Sequence, residues 1–184
     1  PHTVEQQAQV RRIHRFRSLR LIFRLKNPAE YPIWYGVEHL APALLKKSVY
    51  GLTEFYRDAV KTADLIANPG CYPTATLLGL LPLVKKKLID LNSIVVNAAS
   101  GVSGAGKKPS ATTHFCEVHE NYFAYKVGKH QHTPEIEQVL SDGAGVSLKV
   151  DFTTHLLPVN RGILATISAK KVAGVTEEKI RAAY

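Results

Sequence analysis

The sequence predicts an α/β protein, with an α+β domain in which a mixed or antiparallel sheet carries helices on one face. Three observations lead there. Residues 94–99, 148–154 and 163–169 read as strands, apolar or alternating runs of strand length. Residues 63–67 form a further short apolar run, broken by Asp64, before the turn signal Asn68-Pro69-Gly70 and an apolar helix over 74–83. Thr133, as an N-cap, and Pro134, in a first turn, open another helix that runs to about Leu140.

Composition narrows the function classes. The chain has 184 residues and 45% hydrophobic content, enough for a good core. No run approaches the ~18 apolar residues of a membrane span, and the first residues do not read as a signal peptide. Two cysteines make no disulfide framework, which points to a reducing, cytoplasmic compartment. The net charge of +9 invites a nucleic-acid reading. Its distribution argues against one. Residues 1–24 hold six Arg and one Glu, a net of +5, and the other 160 residues hold 18 basic and 14 acidic side chains, a net of +4. Aromatics are not interleaved with the basic residues as a stacking surface requires.

In chain order, residues 11–24 are Arg-rich without an acidic partner, and 19–23 give only a weak strand signal. Residues 28–50 read as a covering loop with one short helix at 43–47, and 54–63 as a helix. Pro73 sits in the first turn of the next helix, where its missing N–H costs nothing. Cys71 therefore stands where a strand turns into a helix N-terminus. Free N–H groups and the helix dipole there favour the thiolate, the reactive form. On spacing alone Cys71 is either that nucleophile or a small apolar core residue. Lys85-Lys86-Lys87 suits the last turn of the helix as solvated charge.

After the strand at 94–99 comes Ser100-Gly101-Val102-Ser103-Gly104-Ala105-Gly106. Its glycines allow backbone to approach a ligand, though a plain flexible loop has the same composition. It is not the strand–GxGxxG–helix dinucleotide fingerprint. His130-Gln131-His132 lies on the loop leading into the Pro134 helix, and no cysteine or carboxylate stands at metal-ligand spacing, so no metal is expected. Arg161, in Val159-Asn160-Arg161-Gly162, is either a surface turn residue or a clamp for carboxylate or phosphate. Residues 176–184 begin a last helix capped by Thr176.

Asn68-Pro69-Gly70-Cys71-Tyr72-Pro73-Thr74 resembles the active-site segment of the N-acetyl-gamma-glutamyl-phosphate reductase family, NADPH-dependent enzymes of arginine biosynthesis related to aspartate-semialdehyde and glyceraldehyde-3-phosphate dehydrogenases. Three further segments are similar to that family: the Ser100–Gly106 loop, Tyr125 through Ile136 with its His-x-His-x-Pro-Glu-Ile pattern, and His155-Leu156-Leu157-Pro158 leading to Arg161-Gly162. Gln131 departs from the Arg that is usual between the two histidines. The resemblance covers residues 23–184. It lacks the family's opening Gly-x-x-Gly-Tyr-x-Gly turn and its closing strands, which implies an interior piece of a longer enzyme.

The resemblance implies a glyceraldehyde-3-phosphate-dehydrogenase-like catalytic and dimerisation domain over 68–184, and over 1–67 the remnant of an NADP-binding Rossmann domain. It implies Cys71 as nucleophile and His130 as acid and base, with His132 structural. Asn68, Tyr125, Glu135 and Arg161 would contact or position substrate, and Ser100, Gly101, Ser103 and Gly104 would border NADP. A homo-oligomer, dimer or tetramer, is implied, in the cytoplasm or in a plastid if the source is a plant. The rival readings are a non-catalytic oligomerisation piece of that enzyme and an aspartate-semialdehyde dehydrogenase. Relatives carry Asp-Leu-Ser-Ala-Asp before Phe23. A one-base frame shift within 11–22 explains its absence, and ordinary divergence is the alternative.

Overall fold

The computed structural model describes residues 16–19 and 21–184. Residues 11–15 and 20, half of the stretch in which a frame shift would lie, fall outside the described residues. The chain divides into two compact units between Gly70 and Cys71.

In the first unit, β1 (Phe16–Leu19) is followed by two short helices, α1 (Glu30–Tyr35) and α2 (Pro42–Leu45), then β2 (Ser48–Tyr50), α3 (Thr53–Thr62) and β3 (Leu65–Ala67). The strands form an all-parallel sheet in the order β1-β3-β2. The covering loop expected over 28–50 thus carries a helix and a strand beyond the one short helix the sequence suggested. Tyr31 explains part of this: its hydroxyl accepts from Leu25 N–H and donates to Leu25 C=O, both at 3.2 Å. That anchors α1 on a core of Phe23, Leu25, Leu45, Leu65 and Ala67.

The second unit opens with α4 (Cys71–Lys85), followed by β4 (Val95–Gly101), a one-turn helix α5 (Phe115–Val118) and β5 (Phe123–Tyr125). Then come α6 (Thr133–Ala144), β6 (Asp151–Leu157), β7 (Ile163–Ser168) and a short α7 (Glu177–Arg181). The three strands expected to share one sheet do so. The order is β5-β6-β4-β7, with β4 parallel to β6 and antiparallel to β7, so the sheet is mixed.

Register fixes which side chains face the helices. Val96 pairs with Phe152 and Ile167, and Ala98 with Thr154 and Ala165, all on one face. α4 packs there: a Cβ at Gly79 would stand 3.0 Å from Ile167 Cδ1, and the Tyr72 ring centroid is 5.8 Å from that of Phe152. α6 packs on α4 through Gly143, where a Cβ would come within 2.8 Å of Leu81 Cδ2. On the other face Asn97, Leu164, Thr166 and Ser168 are exposed.

Several element boundaries differ from expectation. α4 begins at Cys71 rather than Thr74, so the cysteine is itself the first helical residue. β6 begins at Asp151 rather than Leu148. Residues 148–150 are instead held by side chains of α6: Leu148 N–H donates to Ser141 Oγ and Val150 N–H to Glu137 Oε1. The strand then runs on through His155 to Leu157, because β4 pairs with it as far as Gly101. Thr133 is not the N-cap of α6. His132 holds that position, its C=O accepting from Ile136 N–H at 3.0 Å, and the Thr133 hydroxyl is buried without a partner. Thr176 does cap α7, accepting from Lys179 N–H.

Candidate functional site

Three loops of the second unit meet in one cleft of about 390 Å³. Cys71 comes from the start of α4, Gly104 and Ala105 from the loop after β4, and Tyr125 through His132 from the segment joining β5 to α6. Ser110, Thr112 and Thr113 add hydroxyls to the lining. His114 and His155 are not among the lining residues.

The first turn of α4 presents Cys71 exposed and Tyr72 buried. An exposed thiol at a helix N-terminus is accessible to an electrophile, unlike a core cysteine. The Tyr72 hydroxyl shares a 2.9 Å hydrogen bond with Tyr125 and donates to His155 C=O at 3.2 Å. Burial chiefly raises the pKa of both phenols, and the charge of Cys71 adds to the shift in each. They therefore stand protonated, as hydrogen-bond donors, within electrostatic reach of the sulfur.

His130 is 3% exposed. Its ring meets those of Tyr72, Tyr125 and Phe152 edge-on, at centroid distances of 5.3, 5.7 and 5.6 Å. Burial first, and the Lys126 charge second, lower its pKa to about 4, so the imidazole is neutral at pH 7. Its Nδ1 accepts the His132 backbone N–H at 3.2 Å. A neutral ring whose Nδ1 accepts carries its proton on Nε2. Among the described residues Nε2–H has no hydrogen-bond partner, which leaves it for a molecule in the cleft. His132, also buried, lines the same cleft.

The remaining residues singled out in the sequence divide. Ser100 is buried, and its hydroxyl donates to Gly101 C=O at 2.9 Å. Gly101 is closed off by the chain itself: a Cβ there would come within 2.9 Å of backbone atoms of Asn160 and Arg161. Gly101 N–H also donates to Gly162 C=O. Ser103 is exposed and Gly104 lines the cleft. A Cβ at Gly104 would meet Ser100 Oγ at 2.5 Å, so this corner accepts backbone only. Arg161 is exposed and absent from the lining. Glu135 is fully buried in the first turn of α6, behind the histidines rather than in the cleft. Asn68 belongs to the first unit, exposed, with its C=O accepting from Arg24 Nε at 2.6 Å. Tyr72, Lys126 and the hydroxyls at 110–113 were not legible as site residues. Tyr72, adjacent to Cys71, was the one with a signal, because a phenol beside a nucleophile needs a buried partner for its hydroxyl. Among the described residues no cluster of metal-ligating side chains exists, and no helix is long and apolar enough to cross a membrane.

A family model described as semialdehyde dehydrogenase, dimerisation domain, matches residues 71–184. N-acetyl-gamma-glutamyl-phosphate reductase from Geobacillus thermodenitrificans is 60% identical over 148 residues, 80% of this chain and 43% of that protein. The same enzyme from Pelotomaculum thermopropionicum is 54% identical over 162 residues, 88% of this chain and 47% of that one. The chain thus spans less than half the length of these relatives. Aspartate semialdehyde dehydrogenase II from Vibrio cholerae is similar in fold, with a TM-score of 0.57 at 17% identity over 75% of this chain and 48% of that one. The mixed sheet with its paired helices, the match over the whole second unit and this likeness agree: the chain belongs to the semialdehyde dehydrogenase dimerisation-domain family.

Proposed function

We propose that the protein carries the catalytic half of an NADPH-dependent N-acetyl-gamma-glutamyl-phosphate reductase. The observation that supports this most is that Cys71, His130 and Gly104, from three separated loops, border one cleft. A core role for each would not require them to meet.

In this reading the Cys71 thiolate attacks the acyl-phosphate carbon. The bond from that carbon to the bridging oxygen breaks, inorganic phosphate leaves with that oxygen and a thioester forms, which splits one hard step into two. In this reading His130 Nε2–H and the Cys71 backbone N–H donate to the carbonyl oxygen as its charge develops. The neutral, buried imidazole is a donor that holds its proton, a function that needs no titration near pH 7. Tyr125, protonated and tied to Tyr72, orients the substrate. The nicotinamide would lie at the corner bordered by Gly104, which has no side chain, and Ala105, whose side chain is one methyl group. NADPH, when bound there, supplies the hydride that converts the thioester to the aldehyde and frees the thiolate. Gly101 packs on the Asn160–Arg161 backbone, and Val102 and Ser103 N–H donate to Val159 and Asn160 C=O, so this turn would support that corner.

The first unit's parallel sheet fits the remnant of a nucleotide-binding domain. The sheet face of Asn97, Thr166 and Ser168, exposed in the single chain, fits a homodimer contact in a family described as a dimerisation domain. Two exposed free thiols fit a reducing cytoplasm. A second reading, an assembling module without turnover of its own, is favoured by the description of the matching family as a dimerisation domain.

The test is the reverse reaction: N-acetylglutamate semialdehyde, phosphate and NADP with the chain, following NADPH absorbance. Phosphate-dependent NADPH formation, abolished in Cys71→Ser, is expected. A dimer that forms none supports the second reading. Independently, native Cys71 should react with iodoacetamide at least severalfold faster than Cys116. Both thiols are exposed, so accessibility alone does not separate them. Equal rates count against the nucleophile.

A further inference from the structure

The cleft has one basic side chain of the Lys/Arg type among its described lining residues, Lys126. Its backbone is unusual. At φ +48 it occupies the left-handed region, where a lysine has no intrinsic preference. Strained backbone of this kind persists where surrounding contacts hold it, and it clusters at ligand sites. Two contacts hold it here. Lys126 C=O accepts from Lys129 N–H at 2.9 Å, closing a turn that Gly128 completes at φ +67. Lys126 Nζ donates to Gln131 Oε1 at 2.9 Å.

That second contact orients the ammonium without neutralising it. A carboxylate at position 131 would cancel the charge, whereas an amide oxygen leaves two of the three ammonium protons and the full charge available. Gln131 is half-buried and Lys126 exposed, and both line the cleft, so the pair stands at its solvent-facing rim. Beside the Cys71 sulfur, the lining also carries neutral donors: the Tyr125 phenol, the His130 ring, and the hydroxyls of Ser110, Thr112 and Thr113. A cleft with one oriented cation and several neutral donors is complementary to an oxyanion.

We propose that Lys126, oriented by Gln131, is the anion contact of this cleft and binds the phosphoryl or carboxylate oxygens of the substrate. This rests on the reading of Cys71 as the reactive group, and it adds a specificity residue to that site. It also gives Gln131 a function. In place of a second cation between the histidines, the chain carries a neutral amide that positions the cation it has.

The experiment compares iodoacetate with iodoacetamide at Cys71 in the 184-residue chain, with Cys116 as an internal control. A cation near the sulfur favours the anionic reagent, so the iodoacetate-to-iodoacetamide rate ratio should be higher at Cys71 than at Cys116. Lys126→Met should lower the Cys71 ratio about three- to tenfold while the Cys116 ratio stays unchanged. Lys126→Arg should restore it. Gln131→Glu, which leaves the strained backbone at Lys126 untouched, should lower the ratio in the same direction. Protection separates the two sources of the anion. Loss in Lys126→Met of the slowing by inorganic phosphate assigns the phosphoryl group. Loss of the slowing by N-acetylglutamate assigns the carboxylate. A ratio and both protections unchanged in Lys126→Met and Gln131→Glu overturn the proposal. That result would leave Cys71 as nucleophile intact, because equal iodoacetamide rates at Cys71 and Cys116 are the outcome that sinks that reading instead.

Discussion

His39 in the first unit and His130 in the second are alike in most respects. Both rings are packed against aromatics, and burial is the chief cause that lowers the pKa of each. Both use Nδ1 to accept a backbone N–H, from Ala41 at 3.1 Å and from His132 at 3.2 Å. They part at Nε2. In His39 it lies 2.5 Å from Ile22 C=O, so both ring nitrogens are spent within the fold. In His130 the described residues leave it unpartnered at the wall of the cleft. Burial and a shifted pKa therefore do not mark a working histidine. An uncommitted ring nitrogen facing a cavity does.

The largest test of that difference is substitution. His130→Asn should lower reductase kcat/KM by about 10²–10⁴, the usual contribution of a positioned proton donor. His39→Asn should leave it within about threefold and instead lower the melting temperature, because it removes the contact to Ile22 C=O. Similar kinetic losses in both variants would break the comparison.

The pH dependence of stability comes next. The folded pKa of His130 is about 4 against 6.5 for the free side chain. The unfolded chain therefore binds the proton first as pH falls. The stability associated with the neutral ring is complete above pH 6.5 and is lost between 6.5 and 4, by at most about 3 kcal/mol. His39, also lowered, acts in the same direction. Urea midpoints measured at pH 7, 5.5 and 4 should fall, and the fall should be smaller in His130→Asn than in His39→Asn. Equal slopes would remove the greater burial of His130 from the argument.

A pair of glycines sharpens the contrast between units at a smaller scale. A Cβ at Gly101 would press on the Asn160–Arg161 backbone at 2.8–2.9 Å, whereas one at Gly51 would meet the Ile66 Cγ2 methyl at 2.8 Å and backbone only at 3.3 Å, at Ala67 C=O. Gly101→Ala should cost about 1–3 kcal/mol and Gly51→Ala less. Thermal melts of the two variants decide it. Gly101→Ala should also lower activity, because the turn it displaces supports the Gly104 corner.

The sequence by itself determined much of this protein. Periodicity and turn residues located three of the four strands of the mixed sheet and the helices at Cys71 and Pro134, because such signals are local: burial and backbone hydrogen bonding repeat at fixed spacing. The strand–turn–helix at Cys71 and the family wording around it placed the thiol correctly at a helix start. Other assignments needed distance in sequence to become closeness in space. Tyr72 reads as a helix residue until its hydroxyl meets Tyr125, 53 positions away. Gly101 reads as a ligand-approach glycine until the Arg161 turn fills the space beside it. Thr133 reads as a cap until His130 Nδ1 takes the His132 N–H and the helix starts one residue earlier. Which nitrogen of a histidine is free, and which lysine faces a cleft, are decided by packing between elements, and no local pattern encodes them.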